Sequence, residues 1–196
     1  MPPDSVFSSQ SYQPTRAYLV FFDSTDLHWC PDVGRGYVAC GCQPITDSPG
    51  KQNPWYALFG SLIYPSGEGL YTIDERKRHQ EVAAHLKLLL DSDRQAFWYI
   101  VLDNAGAHTT PMLLELLGEY CHRIEFVFQP TYSPHLNLIE RLWGFMRNQM
   151  TRNQFYDSLK EQAKAIVDWL QQLLFSRFCS LMGCEDPTLE AEPQLI

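Results

Sequence analysis

Three carboxylates stand where chemistry needs them. Glu140 falls on the first turn of an amphipathic helix, behind the Pro-punctuated loop Gln129-Pro130-Thr131-Tyr132-Ser133-Pro134-His135-Leu136-Asn137. Asp23 and Asp103 each close a wholly apolar run, residues 17–22 and 97–102. A carboxylate at the end of a buried strand sits where a sheet opens to solvent, a usual place for a ligand. Three such groups brought together repel one another, so the arrangement calls for protons or a metal. Hard oxygen donors suit Mg²⁺ or Mn²⁺, which keep several waters and bind phosphate oxygens. Two such ions ~3.5–4 Å apart activate a water or 3′-hydroxyl and stabilise the leaving oxygen of an in-line displacement. The chemistry implied is phosphodiester cleavage or transfer.

Each residue also has a plainer reading. Asn137 and Glu140 have the spacing of a capping box, in which the acid only bonds back to the cap. Asp26 competes with Asp23 for the first position, although a strand end fixes a side chain better than a loop does. Asp26, His28, Cys30, Asp32, Cys40 and Cys42 could gather around zinc, but the usual Cys spacing is absent and ordinary loop residues are preferred. Arg141, Arg147 and Arg152 are either phosphate contacts or a solvated helix face. Trp143 and Trp169, at helical spacing, read as core.

The elements that must carry these residues follow from periodicity and punctuation. Strands are expected at residues 17–22, 34–41, 55–64, 97–102 and 124–128, with residues 70–73 adding a little to the sheet. Asp74 is placed to cap a helix over residues 75–90 with Val82, Leu86 and Leu89 inward. Pro111 opens a helix to about Cys121. Asn137 caps the Glu140 helix, whose buried stripe is Ile139, Leu142, Trp143, Met146 and Met150, with Glu140, Gly144 and Arg147 on another face. Ser158 starts a last helix, to about Phe175, with a capping box. A meander followed by alternating helices and strands makes a five-stranded mixed α/β sheet flanked by helices. Right-handed crossovers place the Asp103 strand parallel to the Asp23 strand, with both acids at the same end.

At 196 residues, 45% hydrophobic and 13% aromatic, the chain suits one globular domain. Residues 1–15 read as a flexible lead-in or linker, 16–178 as the catalytic domain and 179–196 as a loose acidic tail. No run approaches the ~20 apolar residues of a membrane helix, so no membrane partner is expected. Six irregularly spaced cysteines fit a reducing compartment, and a cytoplasmic, nucleoid-associated location is expected. The net charge of −8 excludes a general nucleic-acid binder with a basic footprint. Four of the acids, Glu185, Asp186, Glu190 and Glu192, lie in the tail, leaving a body with 19 acidic against 15 basic residues.

Val101-Leu102-Asp103-Asn104-Ala105-Gly106-Ala107-His108 resembles the Asp-Asn-Ala-x-x-His motif of DDE transposases. The segment from Thr131 to Trp143 resembles the Tyr-Ser-Pro-x-Leu-Asn-Pro-Ile-Glu segment of their mariner-like bacterial insertion-sequence branch, and 36 residues separate Asp103 from Glu140. The resemblance covers residues 17–175. It implies an RNase H-like, retroviral-integrase-like fold and Mg²⁺-dependent (or Mn²⁺-dependent) cut-and-paste transposition with two ions, at TA targets. Asp23, Asp103 and Glu140 would be the catalytic and metal-binding residues, with Asn104, His108, Arg141 and Arg147 supporting them or touching DNA. The partners implied are transposon-end and target DNA, a second copy on that DNA, and a DNA-reading domain lying N-terminal or on a separate polypeptide. The chain departs from the family pattern at Leu138, where Pro is usual, at His135, where an acid is common, and at Ala39, where Trp is frequent.

Overall fold

The apolar run behind Asp23 is the first half of a longer strand. The computed structural model describes residues 14–34, 39–42, 45, 47, 48, 50, 53–103, 111–130, 137–173 and 175–183. In it β1 (Arg16–His28), β2 (Trp55–Tyr64), β3 (Gly69–Asp74), β4 (Ala96–Leu102) and β5 (Ile124–Phe128) form one sheet in the order β3-β2-β1-β4-β5. β1, β2 and β3 are an antiparallel meander, and β4 and β5 add in parallel. The helices are α1 (His79–Ser92), α2 (Pro111–Leu117), α3 (Leu138–Met146), α4 (Leu159–Gln171) and α5 (Phe175–Met182). A 3₁₀ turn follows α2 at Gly118–Arg123, and a π turn follows α3 at Arg147–Thr151.

The sheet is covered on both faces, which explains its unbroken apolar strands. On one face Val20, Phe22, Phe59, Trp98 and Ile100 pack with Val82, Leu86 and Leu89 of α1 and Leu113 and Leu117 of α2. On the other, Leu27, Leu58, Leu62 and Tyr71 pack with Ile139, Leu142, Trp143 and Met146 of α3, Ile166 of α4 and Phe178 of α5. His85 of α1 is buried in the first core. Its Nε2 pairs with Ser61 Oγ at 2.8 Å and its Nδ1 with Thr72 Oγ1 at 2.6 Å.

Several boundaries differ from the expectation. β1 does not stop at Asp23: Thr25 and Leu27 turn inward, and pairing with β2 continues to His28↔Trp55, so the polar run Asp23-Ser24-Thr25-Asp26 stays in the sheet. The expected strand at residues 34–41 contributes none among its described residues, where Ala39 and Cys42 close a turn; residues 35–38 lie outside the described set. Its place in the meander belongs to β3. Asp74 ends β3 instead of capping a helix, and α1 starts at His79, where the Glu81 carboxylate takes the Arg78 backbone N–H at 3.0 Å. The helix expected to reach Cys121 tightens to 3₁₀ at Gly118, whose φ is +43°. The last helix is two, α4 and α5. Ser158 does cap α4, its Oγ accepting from the Glu161 backbone N–H.

Candidate active site

β4 stops pairing with β1 at Phe21↔Val101, so Asp23 and Asp103, each two residues further on, are level where the parallel ladder ends. Asp103 is half-buried just past β4, whereas Asp23 is only 8% exposed and lies inside β1 with Gly60 opposite it on β2. On the same face as Asp23 lies α3. Glu140, half-buried in its first turn, stands close enough to Asp23 to repel its charge. Burial pushes the Asp23 carboxyl up to about 7, with Glu140 and Asp103 adding to the rise and the Ser24 N–H and Trp143 N–H opposing it. Asp103 and Glu140 thus both lie near enough to Asp23 to raise its carboxyl, the direction expected of neighbouring acids.

α3 is tied to β1 on both sides of Asp23. Asn137 Nδ2 donates to the Phe22 carbonyl at 3.2 Å, Trp143 Nε1 to Asp23 Oδ2 at 3.1 Å, and the Arg147 guanidinium to Thr25 Oγ1 at 2.6 Å. Asn137 occupies the N-cap position with extended backbone but makes no side-chain cap bond; its Oδ1 is buried without a partner. The cap expected from its side chain is thus replaced by a bond across to the sheet, and no reciprocal capping box ties up Glu140.

Beyond Asp23, along the edge of β1 that β4 leaves open, lies a cavity of about 340 Å³ lined by Ser24, Thr25, Asp26, His28, Lys77 and Arg147 among others. Asp26, the rival for the first position, is exposed and paired with Lys77 Nζ at 3.0 Å. Arg147 faces this cavity. Arg141 instead donates to the Leu181 carbonyl of α5 at 3.3 Å, and the Arg152 side chain lies over Gly34. Asn104 and His108 lie outside the described residues. The roles of Gly60, Lys77 and the Trp143 N–H had no sequence signal except one: a glycine in the middle of an apolar strand marks a close approach.

Among the described residues no group of three or more His, Cys, Asp and Glu could hold a metal ion by itself. For the cysteine-rich loop this removes the geometric support for zinc. Asp23, Asp103 and Glu140 fall under the same finding; Mg²⁺ held there would take much of its shell from water and phosphate.

The DDE superfamily endonuclease family matches residues 18–174, a span that includes Asp23, Asp103 and Glu140. The chain belongs to this family. It is 29% identical over 154 residues to an uncharacterised 39 kDa protein of insertion element IS630 from Shigella sonnei, covering 78% of this chain and 44% of that protein. Its fold is similar to that of Mos1 transposase in a paired-end complex with the left transposon end, with a TM-score of 0.64 at 19% identity over 84% of this chain and 51% of the other. The catalytic domain of Mos1 mariner transposase gives a TM-score of 0.53 at 14% identity, covering 84% and 75%. The fold of this DDE endonuclease domain is RNase H-like. The chain spans about half or less of the length of the insertion-element protein and of the Mos1 chain in the paired-end complex. Among its described residues no helix is long and apolar enough to cross a membrane.

Proposed function

We propose that this domain cuts and joins DNA strands in cut-and-paste transposition, with Asp23, Asp103 and Glu140 as the catalytic carboxylates. The observation that carries the reading is the buried Asp23 carboxyl, raised to about 7 with two further acids repelling it. Asp23 and Asp103 are the pair that would hold a divalent cation, Mg²⁺ or Mn²⁺, with Glu140 completing the site. When bound, such ions supply the Lewis acidity that activates a water or 3′-hydroxyl and stabilises the leaving oxygen. Bound there, a cation would favour the ionised Asp23 carboxylate, and its positive charge would offset the repulsion among the acids.

Arg147 and Lys77 flank the cavity beside Asp23 and are assigned to phosphates of the strand being cut. For Asn104 and His108 the supporting role is the one the family resemblance implies. The mild acidity of the body assigns recognition of transposon ends to a region outside residues 16–178, on a longer chain or a separate polypeptide. Two copies on paired ends and insertion at TA dinucleotides follow from the family resemblance. The test is Mn²⁺-dependent nicking of supercoiled plasmid. Wild type is expected to nick, whereas Asp103→Asn and Glu140→Gln lose nicking while melting within a few degrees of it; nicking that survives either change overturns the assignment.

A further inference from the structure

We propose that Trp143 is a positioning residue for Asp23: its indole N–H holds the carboxylate within the cluster, and Gly60 keeps open the space the indole needs. This inference rests on the catalytic reading above. Asp23 and Gly60 are cross-strand partners, and the indole of Trp143 spans both. Its N–H bonds Asp23 Oδ2 at 3.1 Å, while its six-membered ring lies over Gly60. A Cβ at residue 60 would come within 2.5 Å of Trp143 Cη2, 2.7 Å of Cζ2 and 2.8 Å of Ile139 Cδ1. These atoms belong to a fully buried ring and a fully buried side chain, so they have nowhere to go.

Trp143 lies three residues after Glu140, so the same turn of α3 presents one carboxylate and orients another. The bonds from Asn137 to the Phe22 carbonyl and from Arg147 to Thr25 bracket this contact, fixing α3 along β1 at residues 22, 23 and 25. A buried indole N–H usually finds an acceptor, and satisfaction of that donor is the plainer explanation. The other core argues against it. Trp98 is 1% exposed there, and its Nε1 has no hydrogen-bond partner among the described residues. Burial alone therefore does not bring an indole N–H to an acceptor among the described residues, whereas the Trp143 N–H is aimed at the Asp23 carboxylate. Groups that orient metal-ligating side chains in this way typically matter 10–100-fold to metal affinity or activity.

The experiment is a Mn²⁺ titration of the full 196-residue chain, reading free Mn²⁺ by electron paramagnetic resonance beside thermal melting. Trp143→Phe keeps a ring in the core and removes the N–H; it is expected to bind Mn²⁺ about 10-fold more weakly. Its plasmid nicking should return as Mn²⁺ is raised, a recovery that mere loss of packing would not show. Gly60→Ala keeps the N–H but displaces the ring, and is expected to lose both melting temperature and Mn²⁺ affinity. In the double variant the shorter ring relieves the clash, so melting should recover while Mn²⁺ affinity does not. Trp143→Phe binding Mn²⁺ as tightly as wild type overturns the proposal, and if that variant fails to fold, unchanged affinity in Gly60→Ala does the same. A wild-type chain that binds no Mn²⁺ either alone or with a short DNA duplex removes the catalytic reading and this inference with it.

Discussion

Asn137 and Phe22 are joined by a side-chain-to-backbone hydrogen bond of 3.2 Å that connects the head of α3 to the residue before Asp23. The bond substitutes for capping: Asn137 spends its amide on the sheet and leaves Oδ1 buried and unpaired. Asn137→Ala removes a buried hydrogen bond to the Phe22 carbonyl, a change worth ~0.5–1.5 kcal/mol. Part of that is returned because the unpaired Oδ1 goes too. Urea unfolding should show a net loss of about 1 kcal/mol, and nicking should fall more steeply than stability, because Glu140 rides on the same turn. Nicking at the wild-type rate would show that the tether has no bearing on the site.

Asp23 makes the metal-free protein sensitive to pH in a defined direction. Its carboxyl is raised from 3.8 to about 7, so between those values the folded state holds a proton that the unfolded state has lost. Its contribution is therefore fully present below about 4 and is lost as pH rises to about 7. Asp23→Asn removes this dependence. The expected outcome, read by melting in EDTA, is an Asn variant that is more stable than wild type at pH 8, with the gap closing towards pH 4. A variant that is less stable at pH 8 would show that Asp23 supports the fold.

How much of this was legible beforehand depended on whether the signal was local. The positions of Asp103 just past β4 and of Glu140 in the first turn of α3 were legible because each ends or begins an element with clear punctuation, and the pairing of β1 with β4 followed from crossover handedness. The length of β1 was hidden because Asp23-Ser24-Thr25-Asp26 reads as a turn until β2 pairs with it. β3 was undervalued because its six residues alternate weakly and gain much of their burial from α4, which starts only at Leu159. Trp143 was read as core, which its complete burial bears out. Its bond to Asp23 spans 120 residues and leaves no periodicity to find.

His85 works in the opposite sense to Asp23. Burial among Phe22 and Phe59 pushes its imidazole down to about 3 from 6.5, and both ring nitrogens are bonded, to Ser61 and Thr72. Between those values the unfolded chain takes up a proton that the folded one refuses, so stability falls as pH drops from 6.5 towards 3. The slope approaches about 1.4 kcal/mol per pH unit. His85→Gln should flatten it at the cost of a lower plateau near neutrality. Because Asp23 pulls the other way between pH 4 and 6.5, the comparison belongs in the Asp23→Asn background. An unchanged slope in the double variant would assign the acid sensitivity elsewhere.

Arg147 and Arg141 separate a strand contact from a structural one. Both are on or just beyond the helix that carries Glu140, yet Arg147 reaches Thr25 in the cavity and Arg141 reaches the end of α5. Arg147→Ala should weaken binding to DNA of any sequence and reduce the slope of log affinity against log salt by about 1. It takes the donor from Thr25 Oγ1, a buried hydroxyl on the cavity wall, so stability should also fall, by ~1 kcal/mol. Arg141→Ala should leave the salt slope unchanged. Its bond is exposed, and losing it is expected to cost under about 1 kcal/mol. Fluorescence anisotropy on a short duplex across a salt series reads both. Equal slopes for wild type and Arg147→Ala would move the DNA path away from the open edge of β1, since a cation that neutralises a phosphate must release counterions when it does so.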